Sequence, residues 1–102
     1  MKHYLKHKGY YGEIYYCEMD GIYVGVVLGI SSMLAVHEDT FSETVNELIE
    51  AIDDYLMICE EEGIEPNTTN PKVAIEMEAL LGNNNEDDFH IIENRKSLAF
   101  AH

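Results

Sequence analysis

Lysine and arginine are absent from the whole central part of this chain, between Gly9 and Pro71. The same stretch holds fourteen Asp and Glu residues, whereas six acids and six bases cancel outside it, so the formal net charge of −14 belongs to this stretch. Charge of one sign costs stability through self-repulsion, but it favours solubility and attracts positive surfaces over roughly 8 Å at physiological salt. Because phosphate groups are bound by Lys and Arg, the composition argues against direct binding of nucleic acids or anionic membranes and predicts a basic protein partner.

Long apolar runs are also missing. The longest, Ile22 to Ile30, is far shorter than the roughly 20 residues that span a bilayer, and the N-terminus lacks the apolar core of a signal peptide. The chain has 102 residues, of which 46% are hydrophobic, and this is enough for one small domain with an ordinary core. We expect a cytoplasmic protein in which the two cysteines, Cys17 and Cys59, are free thiols.

The first part of the chain predicts three strands joined by short turns. Tyr10 to Glu18 is rich in Tyr and β-forming residues, and Asp20-Gly21 favours a tight turn with positive φ. Ile22 to Leu28 places apolar residues on both of its faces, as in a central strand that is covered on two sides. Met33 to His37 predicts a third, antiparallel strand, which completes a meander.

A long amphipathic helix is predicted after these strands. Thr40 and Glu43 have the spacing of a capping box, and Gly63 is a natural left-handed C-cap. The last turn carries three successive Glu residues, 60–62, where the helix dipole disfavours negative charge. Between the caps, apolar side chains recur at spacings of 4, 3, 4, 3 and 4: Phe41, Val45, Leu48, Ile52, Tyr55 and Cys59.

The remaining residues allow more than one prediction. Residues 65–71 are typical of a linker, after which Asn70-Pro71 could begin a helix that ends at Gly82. Alternation over Lys72 to Met77 is equally typical of a strand. Residues 83–88 predict a polar loop, and the apolar clusters at 89–92 and 98–100 predict a hairpin or a last helix. We therefore divide the chain into a domain over 1–66 and a linker with a C-terminal segment over 67–102.

Two longer strings carry a resemblance to a known family. One is AIDDYLMICEEEGIEP, from Ala51 to Pro66, with its DDYL, single Cys, acidic pair and Gly-x-Glu-Pro ending. The other is YYGEIYYCEMDGIYVGVVLGI, from Tyr10 to Ile30, with an Asp-Gly turn and a Gly-x-Val-x-Gly-Ile strand. With these strings, residues 2–66 resemble the N-terminal domain of the HicB family of antitoxins.

The resemblance implies an α+β fold, described as partial RNase H-like, with a three-stranded antiparallel sheet and one main amphipathic helix. It also implies an antitoxin, not an enzyme, that binds and masks HicA, a small basic ribonuclease, and that forms a homodimer or homotetramer. Members of the family usually carry a C-terminal DNA-binding module. Here the corresponding strand, Lys72 to Met77, would point Glu76 at the groove, and too few residues follow before His102 to complete the module. We therefore expect no direct DNA binding.

The sequence gives little support for catalysis or for metal binding. Two-metal hydrolysis, which an RNase H-like fold suggests, needs several carboxylates that converge on two ions, but the acids here are scattered along the predicted helix and strands. Beyond His3 and His7, the histidines have no recognised metal spacing. These two have a ligand-like spacing only on a helix, and on the N-terminal strand that we favour they would lie about 13 Å apart. We expect no cofactor and no metal, and we keep a degenerate hydrolase only as a remote alternative.

Tyrosines crowd the predicted hairpin, and from sequence they are equally consistent with sheet packing and with a partner interface. Tyrosines next to carboxylates would suit Lys and Arg of a basic protein. The main alternative to an antitoxin is an orphan oligomeric module of the same fold without a toxin. The residues that we predict to bind the partner are Glu13, Tyr15 and Tyr23 from the strands and Glu47, Glu50 and Asp54 from the helix.

Overall fold

A computed structural model of the chain describes residues 2–81 and 92–94. The strands form one antiparallel sheet in the order β4-β3-β2-β1-β5, and this confirms the predicted α+β class. The sheet is larger than the three strands predicted, because β1 and β5 extend it beyond the Tyr-rich hairpin. The elements in chain order are β1 (Lys2–His7), β2 (Tyr10–Cys17), β3 (Ile22–Val27), β4 (Ala35–Glu38), α1 (Phe41–Glu62), α2 (Pro71–Leu81) and β5 (Ile92–Asn94).

The three predicted strands are confirmed as β2, β3 and β4, with ends that move by one or two residues. β2 and β3 pair from Gly12 opposite Val27 to Cys17 opposite Ile22, which leaves a four-residue connection. The Gly21 N–H donates to the Cys17 carbonyl at 2.8 Å, and Gly21 has a φ of 66°. The positive φ predicted for the Asp-Gly pair is therefore found at its glycine.

Helix α1 is closed at both ends by the predicted caps. Thr40 is extended, and its side-chain oxygen accepts a hydrogen bond from the Glu43 N–H at 3.2 Å. The Thr40 hydroxyl also donates to Glu43 Oε1 at 2.8 Å, so the two side chains bond each other directly. Gly63 has a φ of 66°, and its N–H donates to carbonyls of the last turn. These bonds satisfy backbone groups that a helix end otherwise leaves unpaired.

Helix α2 resolves the ambiguity that the sequence leaves after the linker. The Asn70 side chain accepts from the Lys72 N–H at 2.9 Å, and the Asn70 carbonyl accepts from the Ala74 N–H at 2.9 Å. Pro71 takes the first helical position, where its missing N–H is not needed. The helical alternative is therefore confirmed, and the strand considered over residues 72–77 is wrong.

The segment between the helices is fixed to the rest of the fold by Asn67. Its N–H donates to the Tyr55 hydroxyl at 2.7 Å, and its carbonyl accepts from the Tyr10 hydroxyl. Its side-chain oxygen accepts from the N–H and the hydroxyl of Ser32, at 2.9 and 2.6 Å. These bonds tie the linker to α1, to the sheet and to the loop after β3.

The two helices cover opposite faces of the sheet. Neighbouring residues of one strand point to opposite faces, and Leu5 and Tyr4 accordingly belong to different hydrophobic clusters. β3 contributes to both clusters, as predicted for a covered central strand. The buried residues of the α1 cluster are Leu5, Tyr10, Ile14, Val27, Val45, Leu48 and Ile52. Those of the α2 cluster are Tyr4, Tyr11, Leu28, Met77 and Leu81.

Leu48 makes the closest contact between α1 and the sheet, because two strands present glycine to it. A Cβ atom added to Gly12 would lie 2.6 Å from Leu48 Cδ2, and one added to Gly25 would lie 3.4 Å from the same atom. Leu48 has no exposed surface. The glycines thus allow the helix to approach the sheet closely.

The remaining predictions concern the two cysteines, a membrane-spanning helix and the C-terminal residues. Cys17 and Cys59 are free thiols, as predicted. Within the described residues, no helix is both long enough and apolar enough to cross a bilayer. The polar loop predicted over 83–88 and the apolar cluster over 98–100 lie outside the described residues, as do 89–91.

Candidate protein-interaction surface

The exposed side of α1 carries a row of carboxylates. The buried residues of the helix recur every three or four positions, so the same spacing on the opposite side defines a second row that faces solvent. We call this row the acidic stripe. At 1.5 Å per residue, it runs for roughly 27 Å along the helix. Its members are all exposed: Glu43, Glu47, Glu50, Asp54 and Glu61.

Two exposed apolar side chains interrupt the acidic stripe. Met57 and Ile58 are 52% and 49% exposed, and they lie between Asp54 and Glu61 along the helix. An apolar centre with a charged rim is the usual arrangement of a protein-binding patch. The stripe therefore offers both charge and apolar area to a partner.

No carboxylate of the acidic stripe pairs with a Lys, Arg or His of the described chain. The nearest compensated acid on the helix is Asp53, beside the stripe. Its Oδ1 atom lies 2.8 Å from Lys8 Nζ and 2.8 Å from His7 Nε2. The hydrogen bond from Lys8, followed by that from His7, holds the pKa of Asp53 below its ordinary value. Residues at the β1–β2 turn thus compensate the charge of Asp53 on the side of α1, whereas the carboxylates of the acidic stripe keep their negative charge.

The other described ion pairs lie on the opposite face of the sheet, under α2. Lys6 Nζ is 2.9 Å from Glu78 Oε2, and the Tyr11 hydroxyl donates to the same carboxylate. The hydrogen bond from Tyr11, and then that from Lys6, lowers the pKa of Glu78. Burial, and then the bond to Glu78, raises the pKa of Tyr11. This cluster attaches α2 to the sheet and is directed inward.

The six residues predicted to bind a partner do not share one surface. Glu47 and Glu50 belong to the acidic stripe with Asp54, as described above. Tyr23 is half-buried at the start of α1, where its ring centroid lies 5.9 Å from that of Phe41. Tyr15 is half-buried on the other face of the sheet.

Glu13 is the clearest departure from the predicted set, because it is only 2% exposed. Side chains alternate between the two faces along β2, and Ile14 belongs to the cluster under α1. Its neighbour Glu13 therefore points to the opposite face, which α2 covers. There it accepts a hydrogen bond from the Tyr4 hydroxyl at 3.0 Å and lies 3.6 Å from Lys2 Nζ. Its charge is satisfied within the fold, so Glu13 is not part of an exposed surface.

Three tyrosines of the first two strands are core residues: Tyr4 of β1 and Tyr10 and Tyr11 of β2 are between 1% and 6% exposed. Burial, and then the bond to Glu13, raises the pKa of Tyr4. Tyr16 is 48% exposed. Sheet packing therefore explains much of the tyrosine content, and the pairing of Tyr with carboxylate occurs inside the protein.

The sequence prediction missed Met57, Ile58 and Glu61. The signal that could have found them is the same spacing of three and four residues, continued from Glu43 to the end of the helix. Glu43 itself was assigned only to the cap, although its carboxylate is also exposed on the stripe.

Two further features of the described residues bear on chemistry. No group of three or more His, Cys, Asp or Glu side chains among them could hold a metal ion. A cleft of about 390 Å³ opens between the end of β3, the loop after it and α2. The lining of this cleft is largely apolar and includes Val26, Leu28, Ile30, Met33 and Val73.

Comparison with known proteins finds no matching family model, no matching curated protein and no matching solved structure.

Proposed function

We propose that this protein is a HicB-like antitoxin that binds a small basic ribonuclease of the HicA type and blocks access of RNA to it. The observation that supports the proposal most is the acidic stripe: a row of exposed carboxylates, free of described cations, with Met57 and Ile58 in its course. A ribonuclease that binds RNA through Lys and Arg presents a surface of the opposite charge. The stripe would cover that surface and exclude the phosphate backbone.

The C-terminal end of α1 adds further negative charge to that of the acidic stripe. The C-terminus of a helix carries a partial negative charge, and here the last turn contains no basic residue. Glu60, Glu61 and Glu62 are all exposed in that turn. A basic partner would offset this unfavourable charge, so binding would relieve repulsion as well as add contacts. Complementary charge chiefly accelerates association, whereas Met57 and Ile58 would slow dissociation.

The partial RNase H-like fold belongs to the same proposal. Its support is the antiparallel meander of β2, β3 and β4 with α1 packed across it, which is the arrangement that the family resemblance implies.

The test uses two variants with equal net charge. Glu47→Gln, Glu50→Gln and Asp54→Asn together remove three charges from the stripe, which changes the formal charge from −14 to −11. Glu18→Gln, Asp20→Asn and Glu65→Gln remove three exposed charges elsewhere and also give −11. The probe is a small basic ribonuclease of the HicA type, sought in the reading frames next to that of this chain, with RNA cleavage as the readout.

We expect the wild-type chain and the second variant to inhibit cleavage, and the stripe variant to need at least tenfold more protein for the same inhibition. If no basic ribonuclease is encoded nearby, or if wild-type protein leaves its cleavage unchanged, the antitoxin proposal fails.

An orphan oligomeric module is the second candidate, and one observation favours it. Met33 is 86% exposed at the mouth of the apolar cleft, and Ile75 on α2 is 72% exposed. Both could be covered by another copy of the chain. Sedimentation of wild type, Met33→Ser and Ile75→Ser tests self-association through this face. Ribonuclease inhibition then separates the two candidates, because an orphan module would self-associate without inhibiting a basic ribonuclease.

A further inference from the structure

We infer that the edge of β4, which has no neighbouring strand among the described residues, accepts an extended strand from the same basic partner, so that the partner's chain continues the sheet. This inference rests on the proposed function, and it names a second contact besides the acidic stripe. β4 ends at Glu38, three residues before α1 begins at Phe41, so the strand edge and the start of the stripe lie close together in the fold. One partner can therefore reach both.

The hydrogen-bond pattern shows which backbone groups of β4 are available. The Val27 N–H donates to the Leu34 carbonyl at 2.9 Å, which makes these two a hydrogen-bonded pair. In an antiparallel ladder such pairs alternate with pairs whose backbone groups point away from each other. Ala35 and His37, opposite Val26 and Val24, are therefore of the second kind. Their N–H and C=O groups point outward from the sheet.

The neighbouring ladder supports the same assignment. The Leu28 N–H donates to the Tyr11 carbonyl at 2.8 Å, so Val26 opposite Glu13 is again a hydrogen-bonded pair. The backbone groups of Val26 are thus used toward β2 and cannot also serve Ala35. Both Ala35 and His37 are exposed, and β4 is the outermost strand on its side of the sheet.

Among residues 2–81 and 92–94, nothing in β4 or paired with its outer edge gives the usual protection against strand addition. Natural edge strands are blocked by Lys, Pro, a bulge or a covering segment. β4 reads AVHE, contains neither Lys nor Pro, and pairs with β3 in a continuous register without a bulge.

The negative charge near the edge of β4 favours a basic strand as the one that binds there. Glu38 and Asp39 lie at the C-terminal end of β4, and Glu43 follows in the first turn of α1. The chain carries no Lys or Arg for many residues on either side. A strand with Lys or Arg at the end that meets these acids would be attracted. A second copy of this chain would instead bring two formal charges of −14 together, so we commit to a strand of the basic partner.

The test removes one outward donor and leaves the internal ladder intact. His37→Pro deletes the outward N–H, and proline is tolerated on an edge strand when that side faces solvent. His37→Ala is the matched control, because it removes the imidazole and keeps the N–H. With the same basic ribonuclease as probe, we expect His37→Pro to bind at least tenfold more weakly than His37→Ala, and His37→Ala to bind as wild type does.

A second measurement does not depend on the folding of the proline variant. In the wild-type chain, we expect the amides of Ala35 and His37 to exchange with solvent at least tenfold more slowly once the ribonuclease is bound. Equal binding of the two His37 variants, or unchanged exchange at both amides, overturns the strand addition. A dimer of this chain alone that is lost in His37→Pro would also overturn it, because the occupant would then be a second copy.

These failures differ from failure of the proposed function. If the stripe variant still loses inhibition while both His37 variants bind normally, the antitoxin proposal stands and the edge contact is absent. If wild-type protein does not bind the ribonuclease at all, both proposals fail.

Discussion

Helices α1 and α2 cover opposite faces of one sheet, but different chemistry attaches them. α1 is held by apolar packing, with Leu48 seated over Gly12 and Gly25, and by caps at both of its ends. α2 is half as long and is held by a smaller apolar cluster together with the bonds of Glu78 to Tyr11 and Lys6.

This difference determines where a partner can bind. Because the inner side of α1 is sufficiently apolar to hold the helix, its charged residues are not needed for attachment and remain on the outside. α2 instead uses a carboxylate and a lysine inside its contact with the sheet. Charge is therefore structural on the α2 side and available for binding on the α1 side.

The largest expected effect tests the apolar attachment. Leu48→Ala should lower the free energy of unfolding by about 3 kcal/mol, because it removes a fully buried side chain and leaves a cavity. Gly12→Ala alone should also destabilise the protein, by about 1–3 kcal/mol, since its Cβ would collide with Leu48 Cδ2. Denaturant unfolding of both variants measures these losses.

The double variant sharpens this prediction. In the Leu48→Ala background, the added methyl of Gly12→Ala enters the vacated space. The loss of stability in the double variant should then be smaller than the sum of the two single losses by about 1 kcal/mol or more. Simple additivity would show that Leu48 and Gly12 do not share one contact.

The polar attachment of α2 should show a smaller, pH-dependent effect. Glu78→Gln should cost about 1 kcal/mol at neutral pH, because the partly buried bond from Tyr11 loses a charged acceptor and Lys6 loses its ion-pair partner. The lowered pKa of Glu78 means that this stabilisation is complete above the ordinary pKa of a Glu carboxyl, roughly 4, and is lost as the pH falls through the lowered value.

Wild type and Glu78→Gln should therefore converge in stability at acidic pH. Thermal unfolding between pH 7 and pH 3 measures the difference, and Tyr11→Phe serves as a second variant of the same cluster. A difference that stays constant across this range would contradict an ionised Glu78 in the fold.

A weaker effect is expected where α1 meets the β1–β2 turn. Asp53→Asn should cost less than about 1 kcal/mol, since Asp53 is 41% exposed and water screens its contacts with Lys8 and His7. The pKa of Asp53 is lowered, so the loss should again appear above the ordinary carboxyl pKa and vanish in acid. High salt should reduce the difference between wild type and Asp53→Asn at pH 7, as measured by denaturant unfolding.

The smallest effect on stability is expected at the acidic stripe. The variant that neutralises Glu47, Glu50 and Asp54 should keep the unfolding midpoint of wild type or raise it slightly, because it relieves repulsion among like charges on one helix face. A clear loss of stability would show that these carboxylates have a structural role and would weaken their assignment to a partner.

The sequence predicts the α1 side of the molecule well, because that side depends on local patterns. The capping box, with Thr40 three residues before Glu43, and the apolar residues at helical spacing identify α1 without knowledge of its neighbours. The Asp-Gly turn identifies the hairpin. The α2 side depends on pairs distant in sequence. Glu78 is 67 residues from Tyr11, so nothing local marks either as a partner of the other.

The same distinction explains which of the six residues predicted to bind a partner are exposed. Helical periodicity places Glu47, Glu50 and Asp54 outside, and the structure exposes all three. Alternation in a strand fixes only which residues share a face, not which face a later helix will cover. Glu13 is buried because α2 returns to the face on which it lies, and this return is not visible in the sequence around it.

The most direct test of the proposed function is the salt dependence of association with a small basic ribonuclease of the HicA type. The association rate constant should fall steeply with ionic strength for wild type and for the Glu18, Asp20 and Glu65 variant, whereas the Glu47, Glu50 and Asp54 variant should associate about tenfold more slowly at low salt with a shallower dependence. Equal rates and equal slopes for the two variants, which share a charge of −11, would show that only net charge matters and would contradict the acidic stripe as the binding surface.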